Sequence, residues 1–146
     1  MRLLPDPACG RSWGAQWYPG VYASGEAEPL VFSTAGETAS LEWTLAEGGS
    51  LEGTIVPPES DDWHQHVLLV APDDSTEVLC DQAVTGASPA YRFGGLVPGT
   101  YFLRVFARIE GRWANWWYPG VTGRGGATPI EVVAGETAGA ATWMVP

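Results

Sequence analysis

The chain contains one segment twice, first as AQWYPGVYASGEAEPLVFSTAGETASLEWTLA (residues 15–46) and again as NWWYPGVTGRGGATPIEVVAGETAGAATWMVP (residues 115–146). The stretches WYPGV and AGETA are identical in the two copies. The spacing between copies is 100 residues up to the prolines and 99 residues after them. A period of this size matches one small β-domain, so the two segments mark equivalent ends of two modules.

The repeat divides the chain into three parts. Residues 1–14 are rich in proline and glycine, lack periodicity and are predicted to be an irregular leader. Residues 15–46 are the last third of a truncated copy, with strands predicted at 29–34 and 40–45 on either side of the AGET turn. Residues 47–146 are the complete module.

The complete module consists of short strands separated by glycine and proline turns. Its clearest strand spans residues 100–108, in which Tyr101, Leu103, Val105 and Ala107 alternate with Phe102, Arg104, Phe106 and Arg108. The continuous apolar run at 67–70 is typical of a central strand. Because no amphipathic helix can be drawn, these intervals predict an all-β fold, a β-sandwich of about seven strands.

Composition and charge exclude several classes of function. The chain has 146 residues and a formal net charge of −10, and its seven basic residues are all arginine. Binding to nucleic acid depends on basic groups that release counterions, so no nucleic-acid partner is expected. No apolar run approaches the roughly 20 residues of a membrane span, so no membrane insertion is expected. Without lysine, Schiff-base chemistry is excluded.

Catalytic signatures are also missing. The sequence has no nucleophile elbow, no HExxH pair and no glycine-rich phosphate loop. A sandwich of about 100 residues also lacks the deep pocket that hydrolases build, so neither independent enzymatic activity nor a cofactor is predicted.

The cysteines and the N-terminus bear on the cellular compartment. Cys9 and Cys80 are the only cysteines and permit one disulfide, but sequence alone cannot show that they are in contact, so their pairing stays open. The N-terminus lacks the apolar region of a signal peptide. Either a longer precursor carries the export information or the protein stays inside the cell.

Four stretches bear on the family of the module, namely GGSLEGTI (48–55), YRFGGLVPGTYFLRV (91–105), QWYPG (16–20) and ATPIEVVAGET (127–137). Together they resemble carboxypeptidase regulatory-like domains, which belong to the prealbumin-like (starch-binding-like) β-sandwiches. The resemblance implies a prealbumin-like sandwich preceded by the last two strands of the truncated copy. It further implies a non-catalytic, extracellular or cell-surface module of a tandem-repeat protein.

The tryptophan-rich stretch from Trp113 to Tyr118 is the candidate ligand site. Aromatic faces stack on sugar rings, so carbohydrate binding through Trp113, Trp116 and Tyr118 is the leading functional prediction. In an extended segment, Trp116 and Tyr118 point one way and Trp117 the other. Trp117 is retained in the first copy and is predicted to be the core residue, which leaves Trp116 as the exposed ring. The alternative is that all these rings pack against the sheet or the adjoining module.

Weaker candidates concern metals. His64 and His66 fall on one strand face and could share a metal ion, although no third ligand is identifiable. The acidic stretches at 59–62 and 73–74 could hold calcium through loop oxygens. For both features, an ordinary solvated edge or loop is the simpler interpretation.

Two other classes of function stay open. The strands predicted within residues 29–45 lack their own module, so they must dock on the complete module or exchange with a second chain to form a homo-oligomer. If the strands exchange between chains, the protein is a structural or assembly subunit. It could also be the accessory domain of a secreted amylase- or peptidase-like hydrolase. The expected partner is therefore a polysaccharide or another protein module.

Overall fold

The structure is a computed structural model that describes residues 2–3, 16–56, 64–70, 78–85, 89–109, 111–139 and 142–144. The described residues are all-β, with two short 3-10 segments at Ser24–Glu26 and Arg124–Gly126. The strands are β1 (Arg2–Leu3), β2 (Gln16–Trp17), β3 (Gly49–Val56), β4 (His64–Val70), β5 (Val78–Val84), β6 (Ala90–Leu96), β7 (Gly99–Ile109), β8 (Arg112–Trp117), β9 (Ile130–Val132), β10 (Thr137–Gly139) and β11 (Trp143–Met144).

Strands β3 to β11 build two sheets, which confirms the predicted β-sandwich. In the four-stranded sheet, β3 pairs antiparallel with β6 and parallel with β10 and β11. In the five-stranded sheet, the order β5-β4-β7-β8 is antiparallel throughout, and β9 pairs antiparallel with the start of β7. Strands β1 and β2 form a separate two-stranded ladder.

The hydrophobic core lies between the two sheets. Strand β7 follows the predicted alternation, because its side chains at 101, 103, 105 and 107 are all buried. They meet buried side chains from the neighbouring strands and from the facing sheet. These include Leu51, Ile55, Val67, Leu69, Val84, Tyr91, Phe93, Leu96, Ile130, Val132 and Trp143.

Residues 27–46 differ from the prediction. Within the described residues, neither 29–34 nor 40–45 forms a strand, although the AGET turn between them is present. The equivalent strands of the second copy, β9, β10 and β11, pair with β7 and β3. The described part of the first copy contains no counterpart of β3. An alternating pattern becomes a strand only when another strand accepts its backbone hydrogen bonds, and the described part of the chain offers this segment no such strand.

The WYPGV loop folds in the same way in both copies. In each copy the tryptophan N–H donates to the carbonyl of the valine four residues later, at 2.7 Å. The Tyr–Pro bond is cis in both copies. Gly20 and Gly120 have φ values of 122° and 123°, which few other residues adopt. Because these hydrogen bonds close within the loop, the loop needs no further strand to form.

The first prediction concerns close packing at Gly49. A Cβ at this position would overlap the Val132 side chain and the Val133 carbonyl oxygen, whereas a Cβ at Gly139 meets nothing within 4 Å. We expect Gly49→Ala to lower the free energy of unfolding by about 1–3 kcal/mol. The matched control, Gly139→Ala, should be neutral or stabilising by up to about 1 kcal/mol, because glycine is costly in a strand. Equal denaturation midpoints for both variants would contradict the packing described here.

The second prediction concerns stability at alkaline pH. Burial raises the pKa of Tyr91, with a smaller contribution from Tyr118 that Trp143 partly offsets, and burial also raises the pKa of Tyr101. Unfolded tyrosine titrates near 10.0. Above that pH the unfolded chain releases phenolic protons that the folded chain retains, so stability should fall as the pH rises and be unaffected by these phenols at lower pH.

The measurement is the free energy of unfolding from pH 8 to 11, with phenolate absorbance followed in parallel. The Tyr91→Phe and Tyr101→Phe double variant is the control, and its stability should decline less steeply with pH. An equal decline in both proteins would show that these two phenols do not cause it.

Candidate functional site

The outer face of the five-stranded sheet carries aromatic and polar side chains. Because the odd-numbered residues from 101 to 107 face the core, Phe102, Arg104, Phe106 and Arg108 point outward. Directly opposite residues in antiparallel strands share a face. His66 of β4 and Asn115 of β8 lie opposite Phe106 and therefore share this outer face.

Strand β8 places its tryptophans on both faces of the sheet. Trp116 lies opposite Val105, half-buried against the core. Trp117 lies opposite Arg104, and Trp113 opposite Arg108, so both lie on the outer face. The predicted alternation is therefore present, but Trp116 faces the core rather than solvent.

Trp117 is buried on the outer face by arginine side chains. It is only 6% exposed, yet it does not belong to the core cluster between the sheets. The guanidinium carbons of Arg104 and Arg124 lie 5.6 Å and 5.9 Å from its ring centroid. Arg124 also lies 5.0 Å from the ring of Phe102. Cation–π contacts of this kind stabilise a partly desolvated ring by about 0.5–2 kcal/mol.

Trp113 is the exposed ring of this face. It is 55% exposed and stacks on Phe106 with 4.6 Å between ring centroids and 3° between ring planes. The two residues are diagonal neighbours on β8 and β7, a spacing that aromatic side chains can bridge. Phe106 therefore holds the Trp113 ring in one orientation and leaves part of it in solvent.

A histidine–aspartate hydrogen bond lies beside this aromatic pair. Nδ1 of His66 is 2.8 Å from Oδ1 of Asp81 and 3.1 Å from Oδ2. Both side chains are about half exposed, at 42% and 50%. Because His66 lies directly opposite Phe106, imidazole and carboxylate groups border the aromatic stack. We call Phe106, Trp113, His66, Asp81 and Asn115 the outer-face cluster.

The three predicted ligand-binding aromatics are not brought together in one platform. Trp113 lies in the outer-face cluster, whereas Trp116 and Tyr118 are half-buried and pack against the core. The Tyr118 ring meets Trp143 edge-on, at 5.5 Å and 81°. Of the predicted set, Trp113 alone belongs to the exposed aromatic stack.

Sequence reasoning did not assign Phe106, His66 or Asp81 to a ligand site together with Trp113. One signal was present, since Phe106 belongs to the outward set of the alternating strand β7. The placement of Asp81 beside His66 depends on the register of β5 against β4, which pairs His66 with Ala83 and Leu68 with Asp81. That register is not visible in either strand alone.

The structure bears on the predicted metal ligands and on the two cysteines. Among the described residues, no group of three or more histidine, cysteine, aspartate or glutamate side chains could hold a metal ion. The His64 side chain and the acidic stretches at 59–62 and 73–74 lie outside the described residues. Cys80 is disulfide-bonded, and the other cysteine of the sequence, Cys9, also lies outside the described part.

Within the described ranges of the chain, no helix has the length and apolar character needed to cross a bilayer.

Compared with known proteins, the chain matches no family model and no curated protein sequence. The resemblance to carboxypeptidase regulatory-like domains therefore stays a prediction from the quoted motifs.

The third prediction separates the two outer-face tryptophans by their burial. Trp117→Ala removes a buried ring and should lower the free energy of unfolding by about 3–5 kcal/mol. Trp113→Ala removes an exposed ring with one stacking partner and should cost about 1 kcal/mol or less. Chemical denaturation followed by circular dichroism gives both values. A larger loss for Trp113→Ala than for Trp117→Ala would reverse the assignment.

Proposed function

We propose that the outer-face cluster binds carbohydrate and that the protein is a non-catalytic module of an extracellular or cell-surface protein. The observation that carries this proposal is the parallel stack of Phe106 and Trp113, with Trp113 55% exposed. A flat, exposed indole offers a large apolar area to the C–H face of a sugar ring, and tryptophan loses little conformational entropy on binding.

The support beneath Trp113 favours binding. Phe106 supports one face of the indole, since the two ring planes differ by only 3° and the ring centroids are 4.6 Å apart. A ring that is already oriented has less freedom to lose when the sugar arrives, so more of the stacking energy contributes to affinity.

The polar neighbours complement the ring. Arg108 lies directly opposite Trp113 and is exposed, while Asn115 is two positions further along β8. The His66–Asp81 pair supplies further groups that can donate to or accept from sugar hydroxyls. An apolar surface with a few convergent polar groups is the usual composition of a small-molecule site.

Two observations support an extracellular setting. Cys80 is disulfide-bonded, and disulfides persist mainly in oxidising compartments. The motifs at 48–55 and 91–105 resemble domains that occur in secreted and surface proteins.

The fourth prediction tests the site with named probes. The intact protein is titrated with maltohexaose, cellohexaose, xylohexaose and chitohexaose, and binding is measured by calorimetry and tryptophan fluorescence. For a probe that binds, Trp113→Ala should weaken binding at least about tenfold, equivalent to about 1.4 kcal/mol. The thermal midpoint should change little.

The matched control is Phe32→Ala, which removes an aromatic ring of similar exposure, 54% against 55% for Trp113. It should leave the affinity unchanged. The proposal is wrong if none of the four oligosaccharides binds, or if Trp113→Ala binds as tightly as the unmodified protein.

A further inference from the structure

The first copy extends further toward the N-terminus than the sequence repeat indicates. Arg2 pairs with Trp17, and Leu3 with Gln16. In the complete module, Arg104 pairs with Trp117, and Val105 with Trp116. Strands β1 and β2 therefore reproduce the contact between the middle of β7 and the end of β8, with the same arginine–tryptophan pair.

The edge-on contact between a tyrosine and the last tryptophan of each copy is also repeated. Tyr18 meets Trp43 edge-on at 5.9 Å and 88°, and Tyr118 meets Trp143 edge-on at 5.5 Å and 81°. Trp43 and Trp143 are again 100 residues apart. The residue that the second copy lacks after its proline is therefore balanced by one extra residue before Trp143.

A side-chain amide secures the end of the first copy. The Gln16 Nε2 donates to the Ala46 carbonyl at 2.5 Å, and the Ala46 N–H donates to Gln16 Oε1 at 2.9 Å. Gln16 itself is fully buried. Gln16 and Ala46 lie on either side of the segment that corresponds to β9, β10 and β11. Their two hydrogen bonds therefore hold the ends of this segment together.

Between residues 16 and 46, the first copy lacks the strand pairing that β9, β10 and β11 make in the second copy. Ile130 and Val132 of β9 are 9% and 1% exposed and pair with β7. Counting from the prolines, their counterparts are Leu30, which is only half-buried, and Phe32, which is 54% exposed. Val31 is 78% exposed. No ladder partner for this segment exists among the described residues.

The number of strands decides what can cover this segment. Among the described residues, the segment that corresponds to β8–β11 occurs twice, at 16–46 and at 112–144, whereas strands β3 to β6 occur once. A second copy of this chain could accept residues 27–46 only by releasing its own β9 to β11, so the number of unpaired segments would not change. An occupant that satisfies the segment must bring additional strands equivalent to β3–β6.

We propose that residues 16–46, together with β1, are a docking surface for an incomplete β-sandwich of the same architecture. That partner supplies strands equivalent to β3–β6 and to the start of β7, and it presents free edges where β9, β10 and β11 pair in the complete module. Leu30 and Phe32 take the positions of Ile130 and Val132, and Trp43 takes that of Trp143. Main-chain pairing of this kind provides affinity, and the apolar side chains provide register.

The experiment supplies such a partner within one chain. Residues 47–103 are placed directly before Arg2 of the otherwise full-length protein, so that Arg2 follows Leu103 as Arg104 does in the complete module. Amide hydrogen exchange is then compared between this fusion and the unmodified protein. We expect the amides of residues 28–45 to be protected at least about 100-fold more in the fusion, while 128–144 stay protected in both.

The matched control is the same fusion with Leu51→Asp in the added copy only, which places a charge at a fully buried position. It should return residues 28–45 to the exchange rates of the unmodified protein. A second fusion carries Gln16→Trp, which restores the residue type of the complete module in case Gln16 fits the added strands poorly.

Two results would overturn the proposal. One is the absence of added protection at 28–45 in both fusions, the one that retains Gln16 and the one that carries Gln16→Trp. The other is an unmodified protein that light scattering shows to be oligomeric and in which 28–45 are already protected, because a second copy of this chain is then the occupant.

Discussion

The structure depends on the backbone pairing of one strand, β7. This strand contacts β4 over residues 102–108, β8 over 104–109 and β9 over 99–101, and so joins most of the five-stranded sheet. Its inward residues contribute to the core, and its outward residues form the floor of the outer face. Because side chains alternate along a strand, fixing the register of β7 fixes which residues on both neighbours face the core.

The tryptophans of β8 show how one residue type acquires different roles from its neighbours. Trp116 faces the core because Val105 is its cross-strand partner. Trp117 is removed from solvent by Arg104 and Arg124, whose weakly hydrated guanidinium groups can lie over an aromatic ring. Trp113 has an aromatic partner on one side, in Phe106, and remains largely exposed. Burial, not composition, separates the two packed rings from the exposed one.

The internal repeat provides a comparison within one molecule between structure formed locally and structure formed only with a partner. The WYPGV loop, its 3-10 segment and the tyrosine–tryptophan contact are present in both copies. The hydrogen bonds of the loop close over a few residues, so a short sequence is sufficient. Strands β9 to β11 have no strand counterpart in the described part of the first copy, since a ladder needs a second strand to exchange hydrogen bonds.

The sequence by itself determined the all-β class, the repeat and the two faces of β7, because alternation and turn residues are local signals. It also indicated that Trp116 and Trp117 point to opposite sides. Only the tertiary structure decided which side is the core, since that depends on the pairing of Val105 with Trp116 rather than on β8 itself. Dependence on pairing also explains why residues 29–45, which have the pattern of strands, form no strand in the structure. It explains as well why the contact of Asp81 with His66, which depends on the register of β5 against β4, could not be predicted. Pairing between distant segments is a property of the whole chain, and no single segment encodes it.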